Sequence, residues 1–554
     1  DEYARLRPVS ATELGIKGHD DRWTDFSPAG SDALADSFRS FRTEMARHLD
    51  DGDPWRRHSA RTVVAWLDER LSEHEAGDHL RDLSHAAGTI QDIRDIFDQM
   101  DKQSEEGWAD IAVRMEAVGA ALESHRVALE AGREQGLAVA RRQVLAVLEQ
   151  LRVMAAEGSS WDALGAEATA AGQDDIARRL DTARPAAKAA LGEMIRYLED
   201  TYLPSAPLAD GVGEERYLRA ADRFLGKAID LRETYEWGWE EVGRLSAEME
   251  VIAEEVAPGL GLAGCVELLE NDDTRAAPSH QAFLTVMQEL QDHALDKLSG
   301  LHFDVDERIR KVTINLWPPG GALGANYIGP SEDFIRPGSV WYSLDERVQV
   351  PLWQEVSTAF HEGFPGHHLQ VGTAMLNAAN LDRAHRLLIW YSGYGEGWAL
   401  YAERLMQELD LFEKPEYVLG MLATQMLRAC RVVVDIGCHL GYRIPDSSPL
   451  MAGEDWGYDQ AVRMMEEVAL QPRPMAESEV KRYLGWPGQA ISYKIGEREI
   501  YGVRRREENR LGPDFSLKDF HSRLLNIGEV RLDYLEEALL LSVSNRDAGA
   551  SGKG

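Results

Sequence analysis

Residues 361–370 read HEGFPGHHLQ, placing His361, Glu362, His367 and His368 close together in the chain. These residue types can hold and use a zinc ion. A catalytic zinc takes about three protein ligands from His, Asp, Glu or Cys and leaves one position open for water. Two imidazoles share an ion readily when they stand four residues apart on a helix, about 6 Å along its axis. The position four after His361 is instead Pro365. On an unbroken helix His367 lies about 120° round from His361, and His368 returns to the same face about 10 Å further on. Neither serves one ion without distortion. Pro365 and Gly366 can supply it, because proline removes an amide and crowds the preceding turn while glycine accepts unusual dihedrals. Two residues looped out would bring a following histidine back to the required position. Glu362 would then be the general base on a metal-activated water.

A third ligand is expected downstream, and YSGYGEGWALYAERL (391–405) offers Glu396 at the start of a helical run. Glu403 lies two turns further along the same face, where it can act only behind the ligands. The plain alternative makes both ordinary ion-paired helix residues. In RACRVVVDIGCHLGY, Arg431, Asp435 and His439 recur every four residues and form one polar stripe on an apolar helix. Such a stripe must be paired if buried, so a hydrogen-bond ladder to a neighbouring helix is its plain reading. Tyr493 and Lys494 follow a Pro-Gly turn in WPGQAISYKIG. A tyrosine hydroxyl aimed at a developing oxyanion complements zinc chemistry, and Tyr493 is the candidate; a packed aromatic is the competing reading.

The combination of HEGFPGHHLQ, GYGEGWALYAERL, RACRVVVDIGCHLGY and GWPGQAISYKIGEREI resembles the bacterial domain-of-unknown-function family numbered 885. The resemblance spans most of the chain and is most specific between residues 310 and 500. Members are inferred to be zincin-like metallopeptidases with a helical body, similar to thimet oligopeptidase and carboxypeptidase Taq. Their metal helix reads H-E-x-G-H-x-L, with a Glu ligand further along. The resemblance implies His361, His367 and Glu396 as zinc ligands, with His368 the alternative to His367, and Glu362 as the base. It makes His439 a candidate catalytic group and places Asp435 and Glu403 behind the ligands. Arg431 or Lys494 could bind a substrate carboxylate. Tyr327 in GANYIGP and Arg336 in FIRPG become candidate substrate contacts.

These side chains need elements to position them. The first two hundred residues have helical patterning, clearest in 118–157, where apolar residues fall three and four apart. Prolines and glycines in 203–217 mark a lobe boundary or long loop. Helical patterning then resumes through RETYEWGWEEVGRLSAEMEVIAEEV. Two strand-like runs, KVTINLW and SVWYSL, flank a Gly- and Pro-rich loop within 311–344. A small sheet there would adjoin the histidine helix, although a hairpin-like insertion would read the same. The expected organisation is a mainly α, zincin-like fold. It has an N-terminal helical lobe over 1–205, a catalytic helical lobe over 206–545, and a disordered tail over 546–554.

Composition narrows the function class. The chain has 554 residues, 44% of them hydrophobic, and a formal net charge of −35, which argues against nucleic acid as a partner. No run of eighteen apolar residues appears, so no membrane span is expected. The opening DEYARLRPVS has no secretory leader pattern. Three cysteines, Cys265, Cys430 and Cys438, make no disulfide framework, and a cytoplasmic address is expected. The expected function is hydrolysis of short peptides by a zinc metallopeptidase of carboxypeptidase, dipeptidase or oligopeptidase type. A zinc amidohydrolase acting on a non-peptide conjugate and a catalytically silent helical scaffold are the alternatives. Oligomeric state is not legible.

Overall fold

Where the sequence carries the densest Ala, Leu, Glu and Arg patterning, the chain forms two helices, Glu105–Glu134 and Arg141–Ala155. Ser104 starts the first by accepting a hydrogen bond from the Gly107 amide at 3.0 Å, with Glu105 and Glu106 placed favourably in the first turn. Gly136, at φ 73°, turns the chain between them. In the computed structural model, which describes residues 1–317, 324–344, 348–448 and 450–541, the fold is mainly helical with small sheets. The expected disordered tail, 546–554, lies outside the described residues.

The chain divides into two compact units. One comprises Asp1–Arg47, Val64–Val212 and Lys481–Trp486; the other comprises His48–Val63, Gly213–Val480 and Pro487–Gly554. The main changeover, between Val212 and Gly213, falls inside the stretch 203–217. The first unit has its own core, in which Trp108, Met115 and Leu122 pack with Val147, Leu151 and Leu191 from neighbouring helices. It carries none of the candidate site residues.

The second unit holds a three-stranded sheet, Val312–Leu316, Gly324–Ile328 and Gly338–Ser343. The strand Gly338–Ser343 is central, parallel to the first and antiparallel to the second. This corrects the hairpin-like reading: the two strand-like runs pair in parallel, and a third strand lies within the glycine-rich segment between them. Gly324 and Gly329 at its ends disguised it as loop. One face of the sheet buries Val312, Val340 and Tyr342 with Phe283 and Met287 of helix His280–Leu298, and with Ala359 of helix Glu355–Glu362. Tyr342 meets Phe283 edge-on at 5.0 Å.

Two long helices, Leu231–Val256 and Pro415–Leu440, cross closely at Gly238, where a Cβ would come within 2.9 Å of Val432 and Val433. Pro415–Leu440 is long and apolar enough to span a membrane, with a mean hydropathy of 1.3 over its most apolar window. Of that window 83% is buried inside the fold, so a core position accounts for the composition.

Candidate metal centre

The helix bearing the first histidine, Glu355–Glu362, stops directly after Glu362, and a second helix, His367–Leu376, starts at the second histidine. The expected looped-out bulge in one helix is therefore a complete break. Gly366 is required there, since a Cβ would lie 1.9 Å from the His361 carbonyl oxygen and 2.4 Å from that of Phe360. A Cβ at Gly363 would also clash, coming within 2.1 Å of the Gln291 side-chain Oε1. Gln291 satisfies the broken end: its Nε2 donates to the Ala359 carbonyl at 2.7 Å, and its Oε1 accepts from the Phe364 amide at 2.6 Å. Trp398 Nε1 donates to the Pro365 and Gly366 carbonyls at 3.0 and 3.2 Å. The Phe364–Pro365 peptide is cis.

This break brings the imidazoles of His361 and His367 to a centroid distance of 4.9 Å, with the rings perpendicular at 89°. Glu396, in the first turns of helix Ser392–Glu408, sets Oε2 3.3 Å from His361 Nε2 and 3.4 Å from His367 Nε2. A donor atom from each of the three residues lies within 4.8 Å of the others. The set fits zinc. Ligand atoms bound at about 2.0–2.1 Å in tetrahedral geometry stand about 3.3 Å apart, and two imidazoles with one carboxylate leave a fourth position open.

Each imidazole is held from behind. His361 Nδ1 faces Glu403 Oε1 at 2.7 Å, and Glu403 Oε2 accepts from Ser357 Oγ at 2.5 Å and Thr424 Oγ1 at 2.7 Å. His367 Nδ1 faces Gln370 Oε1 at 3.2 Å, and Gln370 Nε2 donates to Glu529 Oε1 at 2.5 Å. Such outer acceptors keep the hydrogen on Nδ1 and turn the Nε2 lone pair toward a metal. Glu403 was legible from its spacing along the helix. Gln370 could have been found, since it follows His367 by three residues on one helical face. Ser357, Thr424, Gln291, Trp398 and Glu529 had no signal in the sequence, being polar residues recruited from distant segments.

Burial disfavours charge on His361, but Glu396 and Glu403 overcome it and raise its pKa to about 9. Burial likewise pushes Glu396 up, yet its hydrogen bonds with His361 and His367 hold it well below the ordinary carboxylate range. Glu403 is lowered in the same manner, its burial outweighed by the hydrogen bond and charge of His361. Glu362 differs: burial raises its pKa, only partly opposed by His361 and His367. Burial also pushes Glu529 up to about 8, against its bonds from the Tyr391 amide and Gln370.

His368 is turned elsewhere. Its Nε2 faces the Ile309 carbonyl at 2.8 Å, and its Nδ1 faces the Tyr327 hydroxyl at 3.0 Å. Tyr327 thus braces the sheet against helix His367–Leu376, and burial raises its pKa. Arg336 is exposed on the loop leading to the central strand. Tyr493 lies beside the cluster, its ring nearly parallel to that of His361 at 6.4 Å.

Four expected roles meet different surroundings. Arg431 is engaged by Glu479, with Nη2 to Oε2 at 2.8 Å and Nε to Oε2 at 3.2 Å. Lys494 is buried among Glu497 at 2.5 Å, Glu241 at 3.3 Å and the Gln425 side-chain oxygen at 2.6 Å. Neither cation is left to bind a substrate carboxylate. Asp435 Oδ2 accepts from the Tyr217 hydroxyl at 2.8 Å and the Gly488 amide at 2.9 Å, and Oδ1 lies 3.4 Å from His439 Nε2. Asp435 and His439 stand about 16 and 22 Å along the helix axis from Thr424, which touches Glu403. They form the structural ladder, not part of the cluster.

Fold and site together define a mainly helical protein with a buried pair of histidines and a glutamate preorganised around one point. A family model described as a bacterial protein of unknown function, DUF885, matches residues 8–539, and the chain belongs to that family. No curated protein matches it. Among solved structures, one from Colwellia psychrerythraea, provisionally described as a lipoprotein, has a TM-score of 0.86 at 21% identity, covering 98% of this chain and 97% of its own. Another from Shewanella oneidensis, provisionally described as a lipoprotein of unknown function, has a TM-score of 0.72 at 17% identity, covering 98% of each chain. At these identities the likeness concerns the fold.

Proposed function

We propose that the protein is a zinc-dependent metallopeptidase of zincin-like type that cleaves short peptides. The observation carrying this reading is the convergence of His361, His367 and Glu396, with Glu396 Oε2 at tetrahedral-edge spacing from both Nε2 atoms, the three donor atoms within 4.8 Å of one another, and both imidazoles braced on their far nitrogens. These three residues would hold the ion, which supplies Lewis acidity toward a carbonyl oxygen and toward water. Glu362 takes one proton from the attacking water at its carboxylate and delivers it to the leaving amine nitrogen as the C–N bond breaks. A carboxyl raised by burial is suited to that two-way transfer. The Tyr493 hydroxyl donates to the carbonyl oxygen as negative charge develops there. Glu403 and Gln370 hold the imidazoles in the required tautomer.

A cytoplasmic address rests on the three unbridged cysteines. Membrane attachment is the competing address, prompted by the provisional description of the two structural neighbours as lipoproteins, and cell fractionation decides between them. The catalytic reading is tested by metal analysis and a peptide-library digest of protein prepared without a histidine tag. One zinc per chain and hydrolysis sharply reduced by Glu362→Gln are expected. A protein that takes up no zinc and cleaves no peptide would be the silent scaffold instead.

A further inference from the structure

Beside the candidate centre stands a cation with no acidic hydrogen-bond partner among the described residues. Arg428 lies one turn beyond Thr424, whose hydroxyl holds Glu403. Its Nη1 donates to the Thr424 carbonyl at 3.2 Å, while its Nε is buried with no hydrogen-bond partner. Among the described residues it forms no salt bridge. Its guanidinium lies 5.8 Å from the centroid of the Tyr493 ring, and that ring lies 6.4 Å from His361.

A half-buried guanidinium with an unpaired, buried Nε–H is costly unless an acceptor arrives. The planar fork matches a carboxylate, which it can bind through two parallel hydrogen bonds. The neighbouring cations are committed, Arg431 to Glu479 and Lys494 to Glu497 and Glu241. Neutral peptide backbone would give Arg428 no charged acceptor in hydrogen-bond contact. We propose that Arg428 anchors a carboxylate of the substrate, so that the site selects peptides bearing a carboxylate close to the scissile bond. Two sources share that chemistry, the free C-terminus and an Asp or Glu side chain. The inference rests on the metallopeptidase reading for its catalytic consequence.

The test uses three tetrapeptide libraries with the full-length zinc-loaded protein. The first lacks Asp and Glu and ends in the free acid, the second is its C-terminal amide, and the third is amidated but contains Asp and Glu. Consumption is followed by mass spectrometry and binding by saturation-transfer NMR. Wild type should consume the first or third library at least about tenfold faster than the second, a factor equivalent to about 1.4 kcal/mol. A preference for the first identifies the C-terminal carboxylate, and a preference for the third identifies a side chain. Arg428→Gln should abolish that preference, and Arg428→Lys should keep part of it. Should Arg428→Gln fail to fold, the Lys variant decides through a raised KM with kcat little changed. Equal consumption of all three libraries, or a preference surviving Arg428→Gln, overturns the proposal. If wild type cleaves nothing, the metallopeptidase reading fails and binding decides. Carboxylate-dependent binding lost in the Arg428 variants supports the anchor, and its absence in wild type overturns it.

Discussion

His361 has a different partner on each ring nitrogen, Glu396 at Nε2 and Glu403 at Nδ1, and this division organises the centre. Glu403 can accept the Nδ1 hydrogen because two hydroxyls also saturate its other oxygen. Replacing it by Gln weakens the brace without emptying the space. Glu403→Gln should therefore lower zinc affinity by roughly 10–100-fold in a competitive chelator titration; unchanged affinity would remove Glu403 from the centre's support. Glu362→Gln should do the opposite, keeping zinc while hydrolysis falls by about 10²–10⁴-fold. Glu529 gives a pH signature in the metal-free protein. Its carboxyl ionises at about 4.3 in an unfolded chain and at about 8 when folded. The folded state thus holds an extra proton between those values, and the Glu529 contribution to stability falls as pH rises from 5 to 8. Glu529→Gln lacks this loss, so its urea midpoint should gain on wild type over that range. A constant difference would show that Glu529 titrates normally.

The decisive element is the helix broken between Glu362 and His367. Gly366→Ala would push a methyl group into the His361 carbonyl, so the two helix ends must part. A loss of roughly 3 kcal/mol or more in chemical denaturation is expected, together with loss of zinc uptake. A stable, zinc-binding variant would contradict the role given to the break. Much of this element was legible beforehand. Pro365 and Gly366 announced a distortion, and His361, His367 and Glu396 are the residues that meet. The form of the distortion was not legible, because it depends on Gln291 and Trp398, which lie far away in sequence and satisfy the exposed backbone ends. The same limit explains Arg431 and Lys494. Their types suit a substrate carboxylate, but the acids that neutralise them come from other helices. The stripe of Asp435 and His439 was visible as a stripe, and only tertiary packing with Tyr217 shows it to be structural.

At the scale of the whole molecule, the apolar helix Pro415–Leu440 is the spine of the second unit and carries both the Glu403 support and Arg428. Its Cys430 is fully enclosed, and burial drives the thiol pKa up. Cys430 should resist alkylation in the native protein and react once denatured, as read by mass spectrometry of modified peptides. Rapid native labelling would mean that the spine is not packed as described. The central claim is that this scaffold closes two histidines and a glutamate on one zinc ion. Zinc stoichiometry of tag-free protein, compared with its His361→Ala, His367→Ala and His368→Ala variants, tests it most directly. One zinc per chain, lost in the first two variants and kept in the third, is the predicted result. No zinc in the wild type, or zinc lost with His368 and kept without His367, would contradict it.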